Sequence, residues 1–445
     1  MEQPSFSGPG LAEAARLQRD LYLYWSGVAR AGGVALTSRG YVARPALRRL
    51  RADLAAGAPL GDAAKDSVEA TDATDATEAD QPRLLFIRLA LERLGLLRVV
   101  GGGAADEADE ADEARRLEAA ETRAMGRYLA RTLAERSRML LRLWVGGAWW
   151  PDRLDPRAEP PRLLAPAPPR VAIARRRLLD EIAALTPGEI IPAPSAWRPA
   201  RSPSASSAHN RVGRRRGAPS RPLARTVASV GDEAAALAGP LAWLGVVVWD
   251  EAAGEWLVGL PSVALRGEEG ARGGAGDDEA ATQAALVEPH GRVVAQSDLS
   301  VIGYPPFSAP ELLTLDLCAS RETLSQTARY RLTRAALSEA RAFGWDAEEV
   351  ARRLERLIGA PPPRALRVKL SDWERLASRL RLEERVTLLE TPTPETLDAL
   401  LADRASANWG IRRLTPTAAA IAPEAAPRAR AWLLRHGCLP AMKEE

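Results

Sequence analysis

The sequence predicts an α+β protein that is mainly helical. Long stretches in both halves carry apolar residues at helical spacing, and short runs of alternating apolar residues, typical of strands, lie between them. Polar segments without apolar periodicity divide the chain. They are the acidic segments 57–81 and 101–113, the Arg/Ser/Pro-rich segment 198–231 and the Gly- and acid-rich segment 266–282. Each has too little apolar surface to offset the entropy cost of ordering, so we expect disordered linkers there.

Region 11–100 opens with a helix that is ended by Gly32-Gly33, and a short strand follows in VALT. A second helix is predicted in ARPALRRLRADL and a third in PRLLFIRLALERL, which Gly95 closes before a strand. Helix, strand, helix, helix, strand is the order of a winged-helix-like unit. The acidic segment 57–81 is then expected to be a loop between the second and third helices.

Region 115–197 is predicted to be helical from Leu117 to Trp144 and again from Val171 to Gly188. This pattern is compatible with a second winged-helix-like unit. Between the two helical stretches, Trp149-Trp150 lie in a glycine-containing turn. Such residues can stack on unpaired bases, but packing between helices is their commoner role.

Region 235–265 predicts a Trp-rich β-hairpin, because WLGVVVW and EWLVGL flank the turn sequence DEAAG. Asp250 and Glu251 follow an apolar run and therefore have the pattern of an acidic pair that holds magnesium. No phosphate-binding loop accompanies them in the sequence, and we therefore favour the hairpin.

Region 285–438 predicts an α+β domain. It begins with a strand in RVVAQSDLSVIGYPPF, then a helix, the short element YRLT, a helix pair broken at Gly344-Trp345, a proline stop and a last element ending at Trp373. A strand in RVTLLE, a helix in PETLDALLADR, a strand in WGIRRLT and a helix in PRARAWLLRHGCLP complete it.

Several positions in this region carry a family resemblance. They are Val294, Gln296, Asp298, Leu299 and Val301 in the first strand, Tyr330, Leu332 and Thr333 in the short element, Leu337, Gly344, Glu348 and Leu354 in the helix pair, and Pro362 and Pro363 in the stop. The segment resembles the conserved non-motor domain that accompanies XPB-type DNA helicases. The resemblance covers roughly 285–380 and, more loosely, 20–100. It implies a role in DNA metabolism, in which the domain engages DNA or positions a motor.

The sequence lacks the motor itself. A phosphate-binding loop needs a Gly-Lys-Ser/Thr sequence, whereas Lys65, Lys369 and Lys443 follow Ala, Val and Met. His209, His290 and His436 lie far apart, and no Gly-x-Ser-x-Gly motif is present. We therefore expect a protein that is not an enzyme and that binds neither a metal nor a cofactor.

The bulk properties predict a cytoplasmic protein. The 445 residues suffice for two to four domains, and 61 basic residues nearly balance 58 acidic ones. Two cysteines, Cys318 and Cys438, are too few for a disulfide framework and indicate a reducing compartment. Neither a leader peptide nor an apolar run of membrane-spanning length is visible, so we expect no membrane association.

Two clusters of arginine are candidate nucleic-acid contacts. Arg44, Arg48 and Arg51 share one face of the second helix, opposite Leu47, Leu50 and Leu54. The linker 198–231 contributes Arg211, Arg214, Arg215, Arg216, Arg221 and Arg225. Arginines in either setting can bind phosphates with release of counterions. A solvated helix face and a linker rich in arginine for solubility are the alternative interpretations.

The function that these observations predict is a non-catalytic DNA-binding or helicase-accessory role. The expected partners are DNA of unspecified form and a separate helicase or nuclease subunit. The alternative is a protein–protein interaction scaffold that does not contact nucleic acid. A continuous arginine-lined face in the folded protein favours DNA, whereas arginines neutralised singly by Asp and Glu favour the scaffold.

Overall fold

The computed structural model describes residues 9–56, 78, 81–101, 115–147, 169–191, 237–260, 288–377, 387–404 and 406–436. These residues form an α+β fold that is mainly helical, as the sequence predicts. They belong to two compact units, Met1–Glu374 and Arg375–Glu445. The predicted linkers 198–231 and 266–282 lie outside the described residues, as do 57–81 and 101–113 apart from Glu78, Gln81 and Gly101.

The first unit opens with three helices around a small sheet. The elements are α1 (Pro9–Arg30), β1 (Val34–Ala35), α2 (Arg44–Ala56), α3 (Pro82–Arg93), β2 (Leu97–Val100) and β3 (Arg116–Ala119). The predicted order of helix, strand, helix, helix and strand is therefore present. The strands form an antiparallel sheet in the order β1–β3–β2, with Leu117 opposite both Val34 and Val99.

The prediction of one helix from Leu117 to Trp144 is wrong. Its first residues form β3, because the buried Leu117 completes the sheet between β1 and β2. Two helices follow, α4 (Thr122–Leu129) and α5 (Leu133–Gly146). The break comes at Thr132, whose hydroxyl accepts from the Glu135 N–H while the Glu135 carboxylate accepts from the Thr132 N–H. This reciprocal capping starts a new helix.

The next elements include the predicted helix and hairpin. They are α6 (Pro169–Ala183), a π-type turn (Leu237–Leu241), β4 (Val247–Asp250) and β5 (Glu255–Val258). β4 and β5 pair antiparallel, with Trp249 packed edge-on against Trp256 at 5.2 Å. Asp250 accepts hydrogen bonds from the N–H groups of Ala252 and Ala253, so it caps the hairpin turn. Trp149 and Trp150 lie outside the described residues.

A four-stranded antiparallel sheet follows. Its strands are β6 (Arg292–Ala295), β7 (Ser300–Tyr304), β8 (Ser320–Leu324) and β9 (Ala328–Arg331), in the order β6–β7–β9–β8. Helix α7 (Ala309–Cys318) connects β7 to β8 and packs on one face of the sheet. On this face Gly303 lies so close to Phe307 and Leu315 that an added Cβ would contact both.

The prediction of a single strand across 292–304 is also wrong, because this segment is a hairpin. Asp298 interrupts it by accepting from the N–H and the hydroxyl of Ser300 at 3.0 and 2.6 Å. Leu299 then takes a left-handed backbone conformation with φ of 72°. A short polar side chain that bonds to the backbone two residues later is a turn signal, and here it outweighs the apolar alternation.

Three helices complete the first unit. They are α8 (Arg334–Phe343), α9 (Ala347–Ile358) and α10 (Arg364–Ala377), whose last residues enter the second unit. The predicted break at Gly344 is confirmed, because Gly344 ends α8 with φ of 104° and Asp346 caps α9 through the Glu349 N–H. Gly344 adopts this left-handed conformation without a steric penalty.

The second unit is small. Its elements are β10 (Thr387–Glu390), α11 (Pro394–Ala402), a 3-10 turn (Ser406–Trp409), β11 (Arg412–Arg413), β12 (Ala418–Ile421) and α12 (Ala426–Arg435). Strand β12 was not predicted and lies at the centre of an antiparallel sheet in the order β10–β12–β11. Trp409 packs edge-on against Trp432 at 5.4 Å and joins the turn to α12.

Polar side chains on the buried helix α1 connect distant parts of the first unit. The Tyr22 hydroxyl donates to Asp316 of α7 at 2.5 Å, and Arg321 of β8 forms an ion pair with the same carboxylate. Burial and the neighbouring Asp316 carboxylate raise the pKa of Tyr22 well above its ordinary value, so its hydroxyl stays protonated as a donor. Residues of all the predicted regions up to Trp373 therefore share one core.

The acidic segment 57–81 was predicted to be a disordered loop, but one of its residues, Glu78, is part of the folded core. Its side chain is fully buried and accepts from the Tyr24 hydroxyl at 3.0 Å, the Val42 N–H at 2.8 Å and Arg88 at 2.7 Å. A buried carboxylate needs such partners to replace its lost hydration. Glu78 therefore connects α1, α3 and the strand region before α2.

Replacing Asp316 with Ala is expected to destabilise the first unit by about 3–5 kcal/mol, because the buried Arg321 loses its counter-charge. Urea denaturation followed by tryptophan fluorescence measures this change. The matched control is Glu118→Gln, which breaks the exposed Arg98–Glu118 pair and should cost less than about 1 kcal/mol. Equal midpoints for the two variants would contradict a central role for Asp316.

Candidate nucleic-acid interface

Helix α2 presents the predicted arginine stripe. Arg44 and Arg48 are exposed and Arg51 is partly exposed, whereas Leu47 and Leu50 are buried in the core. The division of the helix into a charged and an apolar face therefore agrees with the sequence analysis. The second predicted cluster, formed by Arg211, Arg214, Arg215, Arg216, Arg221 and Arg225, lies outside the described residues.

A second basic surface lies on the four-stranded sheet, on the face opposite α7. We call it the open sheet face and define it by Arg292, Tyr304, Arg329 and Arg331. Arg292 of β6 is paired in register with Tyr304 of β7. Ile302 and Ser300 of β7 are paired with Arg329 and Arg331 of β9. These side chains share one face because side chains alternate between the two faces of a strand.

The open sheet face is accessible and carries net positive charge. Tyr304 is 42% exposed, and the three arginines are exposed. Glu322 of β8 bonds to Arg331 at 2.5 Å, and this bond raises the pKa of Arg331 above its ordinary value. The Asp298 carboxylate also acts on Arg331, so two carboxylates lie among three guanidinium groups and the face keeps a net positive charge. An exposed aromatic ring beside guanidinium groups can bind bases by stacking and phosphates by charge.

This surface was not predicted, although the sequence carries a signal for it. In β9, written ARYR, the buried Ala328 and Tyr330 alternate with the exposed Arg329 and Arg331. The period of two assigns both arginines to one face. Arg329 and Arg331 lie beside Arg292 and Tyr304 only because the strands are ordered β6–β7–β9–β8. The residue pattern of a single strand does not specify that order.

The residues that carry the family resemblance have structural roles. Tyr330, Leu332, Leu337 and Leu354 are buried. Asp298 caps the β6–β7 turn, Thr333 caps α8, and Gly344 ends it. The residues that carry the resemblance therefore indicate a shared fold, and they do not by themselves indicate a shared binding or catalytic site.

The described ranges show neither a metal-binding cluster nor a membrane-spanning helix. No group of three or more His, Cys, Asp or Glu side chains there is arranged to hold a metal ion. None of the helices in those ranges combines the length and the apolar character that a membrane crossing requires.

Comparison with known proteins adds one match. Residues 293–415 match the family described as the helicase conserved C-terminal domain. The matched range includes most of the four-stranded sheet and continues into the second unit. A search of curated proteins found no match. Residues 293–415 are thus similar to a helicase C-terminal-type domain, which indicates a helicase-related role in nucleic-acid metabolism.

Proposed function

We propose that this protein is a non-catalytic DNA-binding or helicase-accessory protein whose C-terminal region is of the XPB type. One observation carries the proposal. The open sheet face, with three arginines and one exposed tyrosine, lies within or directly beside the range that matches a helicase domain. We propose DNA as the partner, because arginines can contact its phosphates and the exposed tyrosine ring can stack on a base.

The strand spacing supports contacts with a nucleic-acid backbone. β6 and β9 are separated by β7, so Arg292 and Arg329 stand roughly 10 Å apart across the sheet. Two guanidinium groups at that separation can contact different phosphates of one strand. Tyr304 lies between their strands and offers a ring to an unpaired base. We therefore propose single-stranded or locally opened DNA as the preferred form.

The arginine stripe of α2 is proposed as a second DNA contact. The sheet order β1–β3–β2 and the helices around it support assignment of this part as a winged-helix unit. In related helix-turn-helix folds, charged helix residues bind the DNA backbone. The Arg-rich segment 198–231 is proposed to add contacts that depend on charge alone.

The proposal assigns catalysis to another polypeptide. The sequence contains no Gly-Lys-Ser/Thr, so it has no lysine placed to contact nucleotide phosphates in a phosphate-binding loop. We propose that a separate helicase or nuclease subunit supplies the motor or the cleavage activity. The low cysteine content supports the cytoplasm as the compartment.

A protein-interaction scaffold is the second candidate, and helix α9 favours it. Arg352, Arg353 and Arg356 all lie within 3.5 Å of the Glu349 carboxylate. On this surface the charges are neutralised within the protein, as expected of a scaffold rather than of a phosphate-binding face.

The double variant Arg329→Gln, Arg331→Gln is expected to weaken binding to a single-stranded oligonucleotide at low salt. If both side chains contact phosphate, the slope of log K against log salt should flatten by roughly 1.4 units. Fluorescence anisotropy across a salt series measures both effects. The control is Arg176→Gln, Arg177→Gln on α6, which removes the same charge from another exposed surface. Superimposable curves for wild type and both variants would remove the case for the open sheet face.

The triple variant Arg44→Ala, Arg48→Ala, Arg51→Ala is expected to weaken duplex binding and to flatten its salt slope by roughly 2.7 units if all three contact phosphate. The fold should persist, because Leu47 and Leu50 on the buried face are unchanged. Anisotropy with a duplex probe and the circular dichroism spectrum provide the two readouts. An unaltered slope in a folded variant would exclude α2 as a contact.

The purified protein is expected to hydrolyse no ATP above a heat-inactivated blank, with or without DNA. A phosphate-release assay measures this rate. DNA-stimulated turnover that persists through successive purification steps would refute the non-catalytic assignment.

A further inference from the structure

The arginine stripe of α2 has an acidic segment as its neighbour in the chain. Helix α2 ends at Ala56, and residues 57–77 follow it directly. This 57–77 segment contains one lysine and five acidic residues, Asp62, Asp66, Glu69, Asp72 and Asp75. It lies outside the described part of the chain, but both of its ends are fixed, because Ala56 belongs to α2 and Glu78 is buried in the core.

Glu78 returns the chain to the start of α2. Its buried carboxylate accepts from the Val42 N–H at 2.8 Å, two residues before the helix begins. Tyr24 and Arg88 donate to the same carboxylate and hold it there. The 57–77 segment therefore leaves from one end of α2 and comes back to a point beside the other end. The connection has to span the length of the helix, which is about 20 Å.

The 57–77 segment is long enough to reach the stripe. Its 21 residues can extend over roughly 70 Å, several times the length of α2. Counted back from its buried end, Asp75 and Asp72 come three and six residues earlier, which allows separations of up to about 10 and 20 Å. Along the helix axis, Arg51 is about 10 Å from Arg44. The two acids nearest to the buried end can therefore reach all of the stripe.

Helix α1 packs along the other flank of α2. There Asp53 of α2 forms an ion pair with Arg30 of α1 at 2.7 Å. Helical spacing places Arg44, Arg48 and Arg51 within about 60° of one another and Asp53 on the opposite side of the helix. Helix α1 therefore does not separate the stripe from a segment that returns along α2.

The charges of the stripe and of the 57–77 segment are opposite, and one chain holds both. A short tether keeps two such groups at an effective concentration on the order of millimolar. Exposed ion pairs are weak one at a time, but several pairs at that concentration can form together. We propose that the stripe of α2 is a docking surface for the 57–77 segment, and that Asp72 and Asp75 supply its main contacts.

Docking makes the 57–77 segment a competitor of nucleic acid. Carboxylates and phosphates both accept hydrogen bonds from guanidinium groups, so one arginine face cannot bind both fully at the same time. This consequence rests on the proposed DNA contact of α2. Duplex DNA then has to displace the Asp72 and Asp75 carboxylates, which lowers the affinity of the protein for DNA at low salt.

Disulfide trapping in the full chain tests the docking without DNA. Thr74→Cys, between the two acids, is combined with Arg48→Cys on the stripe or with the matched control Arg49→Cys. Both arginines are exposed, and they point about 100° apart around the helix. Both proteins also carry Cys438→Ser. Cys318 does not compete, because it is buried and burial raises the pKa of its thiol to about 12.

We expect the protein with Arg48→Cys to form its disulfide roughly fivefold faster, or more, than the control at low salt. The two rates should converge in about 1 M sodium chloride, where the Debye length is only about 3 Å. Equal rates at low salt would overturn the docking. A rate advantage that persists in high salt would overturn it as well, because the path of the chain and not charge pairing would then bring the cysteines together.

A second experiment tests the competition with DNA. Asp72→Asn, Asp75→Asn is compared with the control Asp109→Asn, Asp112→Asn, which makes the same change at the same spacing in the acidic segment 101–113. We expect the first variant to bind a duplex about threefold tighter or more at low salt, and the control to gain less. The gain of the first variant should disappear when the three stripe arginines are alanine. Equal gains, or a gain that survives without the stripe, would refute the competition.

The two experiments separate this inference from the proposed function. If trapping favours Arg48→Cys in a protein that binds no duplex, the docking stands and the DNA contact of α2 is refuted. If the trapping rates are equal while the stripe variant loses duplex affinity, the DNA contact stands and the docking is refuted.

Discussion

The carboxylate of Asp316 is the contact on which the first unit depends. It lies between Arg321, which pairs with it from β8, and Tyr22, which donates to it from the buried helix α1. A charge removed from water is tolerated when it is paired and hydrogen-bonded, so these three side chains must come together as the unit folds. Helix α1 is thereby fixed to the helicase-type region. The four-stranded sheet β6–β7–β9–β8 and the three-stranded sheet β1–β3–β2 consequently belong to the same compact unit.

This arrangement also explains why the open sheet face is accessible. Helix α7 covers one face of the four-stranded sheet and leaves the other to solvent, and exposed arginines and a tyrosine occupy that face. The α4–α5 turn and the start of α7 lie near each other in the same unit. Helix α4 is also held against α8: the Arg123 guanidinium donates to the Ala342 carbonyl at 2.8 Å, and Gly126 lies against Phe343. A Cβ added at Gly126 would lie 2.8 Å from the tip of the Phe343 ring, so the ring or one of the two helices would have to shift.

Local signals in the sequence predicted the elements whose ends depend on neighbouring residues. The caps at Thr333 and Asp346, the glycine end at Gly344 and the β4–β5 hairpin all follow from residues within a few positions of each other. Two predictions failed for different reasons: the local turn signal of Asp298 and Ser300 outweighed the apolar alternation across 292–304, and a distant partner decided the structure at Leu117. Leu117 has apolar neighbours at helical spacing, yet it forms a strand because β1 and β2 are both available to pair with it. Of the candidate site, the α2 stripe was visible as helical spacing, whereas the open sheet face required the strand order.

The sequence by itself determined the α+β class, most helix boundaries, the split of α2 into arginine and leucine faces, and the lack of a phosphate-loop lysine. These properties depend on residue type and on short spacing. The tertiary structure alone decided which polar residues become buried partners. Tyr22 and Asp316 are separated by 294 residues in the sequence. Glu78 lies in a polar acidic segment, and nothing in that segment indicates its buried contacts with Tyr24 and Arg88. The physical reason is that burial and pairing set the chemistry of a charged group, and both are created when distant segments pack together.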